Sequence, residues 1–191
     1  MGVPLAVIGT PIEEIDTPAL LLDLDVMERN VARMAAAFRS LPAKLRPHAK
    51  THKCPIIAHT HLAAGAIGVT CAKLGEAEVM LAGGIRDILI ANQVVGVRKV
   101  ARLVSLARHA DLIIAVDDAR NVEELSAAAH AAKVSLRVLV EVNVGMHRCG
   151  VEPGEPTLFL AQQIEQTPGL RFAGLMGYEG HLVFVPNQME S

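Results

Sequence analysis

Lys50 stands in a segment, Arg46-Pro47-His48-Ala49-Lys50-Thr51-His52-Lys53, that crowds cationic side chains around one amine. Partial burial and neighbouring positive charge both favour the uncharged form of a lysine. An uncharged amine is the nucleophile that condenses with a carbonyl to give a Schiff base. By residue type alone the same run also describes a solvated basic turn, which is the commoner outcome. His52, His59 and His61 recur at near-regular spacing that could suggest a metal, but Pro55 and apolar flanks fit a helix start with scattered surface histidines. Asn92-Gln93 could hydrogen-bond a ligand or simply cap a strand end. Gly145 and Gly150 bracket Arg148 and give its turn the backbone freedom that a tight loop needs.

The elements that must hold these residues follow from two alternating apolar periods. Short runs of β type fall at 19–22, 44–48, 66–70, 87–91, 112–116, 136–142 and 171–177. Helical stretches lie between them at 24–38, 55–63, 73–82, 97–107, 119–132 and 156–166. Gly83-Gly84, Asp117-Asp118, Pro153-Gly154 and Pro168-Gly169 punctuate the series. Strict alternation implies βαβ units and a parallel sheet. A doubly wound sheet would carry G-x-G-x-x-G at its first strand-to-helix turn, and neither that motif nor a P-loop is present. A (β/α)8 barrel instead gathers its working residues at the C-terminal strand ends. Lys50, Thr70, Asn92, Gln93, Asp117, Asn143 and Tyr178 all fall there. The expectation is therefore α/β, an incomplete TIM barrel with about six barrel strands.

The 191 residues suit one domain, and 51% hydrophobic with 3% aromatic content describes a core of Ala, Val, Leu and Ile. A net charge of −2 and a pI of about 6.4 give no electrostatic case for nucleic acid or an anionic membrane. Cys54, Cys71 and Cys149 are far apart and form no C-x-x-C, as expected of reduced thiols in the cytoplasm. The N-terminus lacks the pattern of a signal peptide, and no apolar run approaches the roughly 18 residues of a membrane span.

Four blocks carry a resemblance that covers most of the chain. They are Asp16-Thr17-Pro18-Ala19 with Leu22-Asp23, the Arg46 to Lys53 segment, Val69-Thr70-Cys71-Ala72-Lys73-Leu74-Gly75-Glu76-Ala77, and Glu141-Val142-Asn143-Val144-Gly145-Met146-His147-Arg148-Cys149-Gly150. In this order and spacing they resemble the N-terminal half of fold-type III pyridoxal-phosphate enzymes, the alanine racemase N-terminal type. Within these, the match is to the D-threonine aldolase, D-serine dehydratase and 3-hydroxy-D-aspartate aldolase group. The resemblance implies that Lys50 carries pyridoxal 5'-phosphate as a Schiff base and that Arg148 and Tyr178, the only tyrosine, lie at the cofactor. The block Gly177-Tyr178-Glu179-Gly180-His181-Leu182 departs from the group, with Glu179 where a histidine is typical. His181 is then the candidate base, or an ordinary histidine of the barrel rim.

The implied activity is retro-aldol cleavage of D-3-hydroxy amino acids, small-molecule substrates. The alternatives are β-elimination of D-serine, racemisation, or cofactor binding without catalysis. The resemblance also implies that residues 1–22 contribute a strand to a β domain absent here, and that 23–191 form a partial cofactor-binding barrel in a chain that stops about a dozen residues past its sixth barrel strand. The absent part would supply the last barrel strands, most of the phosphate site and the ligands of a divalent metal, and the complete protein would be a homodimer. No metal ligand is assigned among these residues.

Overall fold

The structure, a computed structural model, describes residues 7–183. Five strands form one sheet: β1 (Val69–Cys71), β2 (Asp87–Gln93), β3 (Asp111–Val116), β4 (Leu136–Val142) and β5 (Leu170–Gly177). They pair in the order β1-β2-β3-β4-β5, every pair parallel. A doubly wound sheet reverses its order at a switch point. A strictly sequential order, with α3 (Leu74–Ala82), α4 (Val97–Leu106), α5 (Ala119–Ala132) and α6 (Glu155–Gln166) packed each against the next, is the wall of a partial TIM barrel.

The helices cover the outer face because each has an apolar stripe to bury. Val100, Leu103 and Leu106 on α4, Val122, Leu125 and Ala129 on α5, and Leu160 and Ile164 on α6 are buried against Ile88, Ile90, Leu112, Ile114, Val138 and Val140 of the sheet. Asp118 starts α5 by accepting a hydrogen bond from the Arg120 amide at 2.8 Å. Two further helices, α1 (Leu24–Arg39) and α2 (Pro55–Ala63), precede the sheet. Asp23 caps α1 through the Val26 amide at 2.9 Å, and Pro55 opens α2.

Side chains on the alternate positions of each strand face the barrel interior, among them Leu89 and Ala91 on β2 and Glu141 on β4. A bulge in β5 shifts this alternation. Phe172 pairs with Val138 and faces the helices, whereas Gly174 pairs with Leu139 and Met176 with Glu141, so that Met176 faces the interior. One extra residue has exchanged the two faces, and Gly174, with φ +124°, supplies the backbone conformation.

One expected barrel strand is not a strand, and a second expected run stands unpaired. Segment 44–48 makes only an isolated bridge, His48 with Thr70, plus hydrogen bonds from the Ile67 amide to the Leu45 carbonyl and from the Thr70 amide to the Pro47 carbonyl. Pro47 accepts but cannot donate, which interrupts a ladder at its centre. The segment still lies where a barrel strand would precede β1. Segment 19–22 pairs with nothing among the described residues, and Leu20, Leu21 and Leu22 are exposed.

Candidate functional site

Lys50 follows the bridge residue His48 and sits at the C-terminal end of the barrel wall. The turn that presents it is tied at both ends. The Ala49 amide donates to the Thr70 carbonyl at 2.7 Å, and the Lys53 amide donates to the Ala49 carbonyl at 2.8 Å. Within the turn the Lys50 amide donates to His48 Nδ1 at 3.2 Å. Burial, and secondarily the charge of Lys50, holds the His48 imidazole below its ordinary pKa, against weaker opposing effects of Glu76 and the Thr70 backbone.

The crowd of cations expected around Lys50 is largely neutralised. Arg46 reaches Asp87, Nη1 to Oδ1 at 2.8 Å, and Lys53 reaches the buried Glu76, Nζ to Oε1 at 2.5 Å. Glu76 also accepts from the Ala72 amide at 2.7 Å. Burial pushes its carboxyl up, but the hydrogen bonds from Lys53 and Ala72 and the charges of Lys53 and Lys73 outweigh this and leave it below the ordinary range. Among the described residues Lys50 has no carboxylate partner; its Nζ lies 5.9 Å from the centre of the Tyr178 ring.

The second flank of the site is the loop from β4 to α6. Asn143 organises it: its Oδ1 accepts from the Gly145 and His147 amides, and its Nδ2 donates to Glu152 Oε1 at 2.9 Å and meets His147 Nδ1 at 2.8 Å. Asp117, at the end of β3, accepts from the Gly150 amide at 2.9 Å. Gly145 and Gly150 take φ of +109° and +98°, so the expected glycine turn around Arg148 is present. Arg148 then lies over the Tyr178 ring, its Cζ 4.7 Å from the centre.

Lys50, Arg148 and Tyr178 thus line one cavity of about 530 Å³, together with His48, Thr70, Leu89, Ala91, Asn92, Gln93, Glu141, Cys149 and Met176. His181 is not part of that wall. It is exposed on the rim, where its Nε2 would stand 3.2 Å from a Cβ placed on Gly145. The sequence reading missed Glu141 and Glu76. Glu141 is 3% exposed and accepts from Gln93 Nε2 at 2.5 Å and Cys149 Sγ at 3.0 Å, with Arg148 Nη2 at 4.0 Å. The signal was available as one carboxylate in the otherwise apolar end of Leu136–Val142. Burial, then the bond to Glu141, raises the Cys149 thiol, which stays protonated and donates.

Asp117, Glu141 and Cys149 bring possible metal-ligand atoms within 4.8 Å of one another, but each already has the partner just described. Two H-x-D or H-x-C spacings also occur, at His109 to Asp111 and His147 to Cys149. Asp111 is held by Arg137 at 2.6 Å, at the opposite end of the strands from Lys50, and His147 is engaged by Asn143. No helix among the described residues is long and apolar enough to cross a membrane.

Comparison with known proteins places this geometry. The chain is 48% identical to D-threonine aldolase of an Arthrobacter species over 177 residues, 93% of this chain and 47% of that protein. It is 37% identical to 3-hydroxy-D-aspartate aldolase of Paracoccus denitrificans over 174 residues, 90% of this chain and 45% of that one. The solved structure of D-threonine aldolase from Filomicrobium marinum superposes with a TM-score of 0.90 at 52% identity, covering 92% of this chain and 47% of that one. The chain therefore spans about half the length of the relatives it matches. The family model described as "Alanine racemase, N-terminal domain" matches residues 22–187, and the chain belongs to that family.

Proposed function

We propose that this chain is the cofactor-bearing part of a pyridoxal-phosphate-dependent lyase that cleaves D-3-hydroxy amino acids by retro-aldol reaction. The observation that carries the reading is the convergence of Lys50, Arg148 and Tyr178 on one cavity at the C-terminal strand ends. Relatives named D-threonine aldolase and 3-hydroxy-D-aspartate aldolase support the choice of reaction.

The lining fits the cofactor. Lys50 offers an amine without a carboxylate partner, Arg148 a cation for an anionic edge, and Leu89, Ala91 and Met176 apolar surface for a flat ring. When bound, pyridoxal phosphate supplies an electron sink for the bonding pair released at the substrate's Cα. Lys50 would hold it through Nζ. Arg148 and Tyr178 act together, since the guanidinium stacked on the ring is kept over the cavity. His48 Nδ1 accepts from the Lys50 amide and so steadies the turn that presents Lys50. His181, from its place on the rim, would take the proton of a substrate hydroxyl that projects beyond the cavity wall. A divalent metal, a homodimer and a cytoplasmic location belong to the same proposal, the last in keeping with three unpaired thiols.

Borohydride trapping tests the core of this reading: with pyridoxal phosphate the chain should carry a reduced cofactor label on the Lys50 peptide, and a label confined to other lysines would refute it. For the reaction, the segment joined to the C-terminal half of its relatives should release glycine and acetaldehyde from D-threonine. A keto acid with ammonia would mean β-elimination, and an inverted amino acid racemisation.

A further inference from the structure

Two lysines share the turn at the cavity, and among the described residues one of them is paired with a carboxylate and the other is not. Lys50 Nζ has no carboxylate within 4.0 Å among the described residues, whereas Lys53 Nζ sits 2.5 Å from Glu76 Oε1. Glu76 is itself buried, with 6% of its side chain exposed, and its other oxygen is fixed by the Ala72 amide at 2.7 Å. Lys53 adopts a left-handed backbone, φ 50°, unusual for a residue with a side chain. Its amide closes the turn on Ala49, so its backbone and its ammonium are both anchored. Lys53 does not line the cavity; Lys50 does.

We propose that the Glu76–Lys53 ion pair selects the reactive amine: it ties the neighbouring ammonium to α3 and away from the cavity, so that an aldehyde entering the cavity meets one amine, Lys50. The chemistry requires such a choice. A neutral amine nitrogen adds to the aldehyde carbon, and water leaves with the carbonyl oxygen, whereas an ammonium has no lone pair to add. Drawing Lys53 to the cavity would break this bond and leave the Glu76 carboxylate buried without its cation. Glu76 is in this sense a positioning residue for a reaction it does not touch, and the inference rests on the assignment of Lys50 as the cofactor lysine.

The test compares where pyridoxal phosphate is trapped by borohydride in the wild-type chain and in Glu76→Gln, which preserves an acceptor for the Ala72 amide. The wild type should be labelled at Lys50 with only a trace at Lys53. In the variant the Lys53:Lys50 label ratio should rise about tenfold, the scale expected when a charge-assisted bond is lost. Label at Lys50 in both proteins with an unchanged ratio overturns the ion-pair role and leaves the cofactor lysine standing. Wild-type label on Lys53 in place of Lys50 overturns both. Should the variant fail to fold, reductive methylation of the native wild type with formaldehyde decides. Lys53 should react more slowly than the exposed and carboxylate-free Lys44 and Lys99, and equal rates refute the proposal.

Discussion

The two flanks of the cavity present a cation each, and they treat it oppositely. On the Lys50 side the buried carboxylate, Glu76, binds the neighbour Lys53 and leaves the lysine of the cavity alone. On the Arg148 side the buried carboxylate, Glu141, stays within 4.0 Å of the very cation that faces the cavity and also holds Gln93 and Cys149. The difference fits the roles proposed for the two cations. A nucleophilic amine must lose its proton and is disabled by a carboxylate. A guanidinium never deprotonates and is only steadied by one.

The contrast can be broken most sharply at Lys50. Lys50→Ala should abolish the borohydride-trapped label, while Lys44→Ala leaves it intact; peptide mapping reads both, and label surviving the first change would remove the asymmetry altogether. Next in size is Glu141→Ala. It leaves the half-buried Gln93 and Cys149 without their acceptor and should lower unfolding stability by about 1–2 kcal/mol, measured by urea denaturation. A neutral result would mean that Glu141 does not organise its flank. Arg148→Ala should leave the label on Lys50 but weaken saturable cofactor uptake by on the order of tenfold, as expected for loss of one charge-assisted contact. Arg148→Lys should recover only part of it, since an ammonium cannot stack flat on Tyr178 as a guanidinium does.

The smallest effect concerns pH. Burial first, with neighbouring charge at His48 and His52, depresses the imidazoles of His48, His52 and His61, all on the Lys50 side. A depressed folded-state value means that the unfolded chain binds protons more readily. Stability is therefore fully present above the ordinary value of about 6.5 and declines as pH falls below it toward the folded values. Urea midpoints at about pH 7.5 and 5.5 should show a modest loss that His61→Gln reduces; a rise in stability on acidification would contradict the sign.

Most of the fold was legible because its signal is local. The helix 119–132 and the strand 136–142 fall where periodicity put them, and the sequential parallel order follows from alternation with no switch-point motif. Segment 44–48 was misread because its apolar pattern says nothing of Pro47's missing donor until a partner strand is in place. The family resemblance pointed to Lys50, Arg148 and Tyr178, and the structure brings them to one cavity. The two buried glutamates were not found. Glu76 reads as an ordinary first-turn residue of α3, and Glu141 as a charge at a strand end. What makes each of them matter is a partner 23 or 48 residues distant in the chain, Lys53 or Gln93.

The sequential order of the sheet has a kinetic consequence. Every strand pairs with the one made just before or after it, so each βα unit can dock as soon as it leaves the ribosome, and loop closure stays inexpensive. The cavity is the exception, because it joins a lysine before β1 to an arginine after β4 and a tyrosine after β5. Its contacts are the longest in sequence and form only after the wall has curved far enough to bring them face to face. A scaffold assembled early and a site assembled last would let the outer core reach native protection in hydrogen exchange while the Lys50 turn and the Arg148 loop still exchange freely.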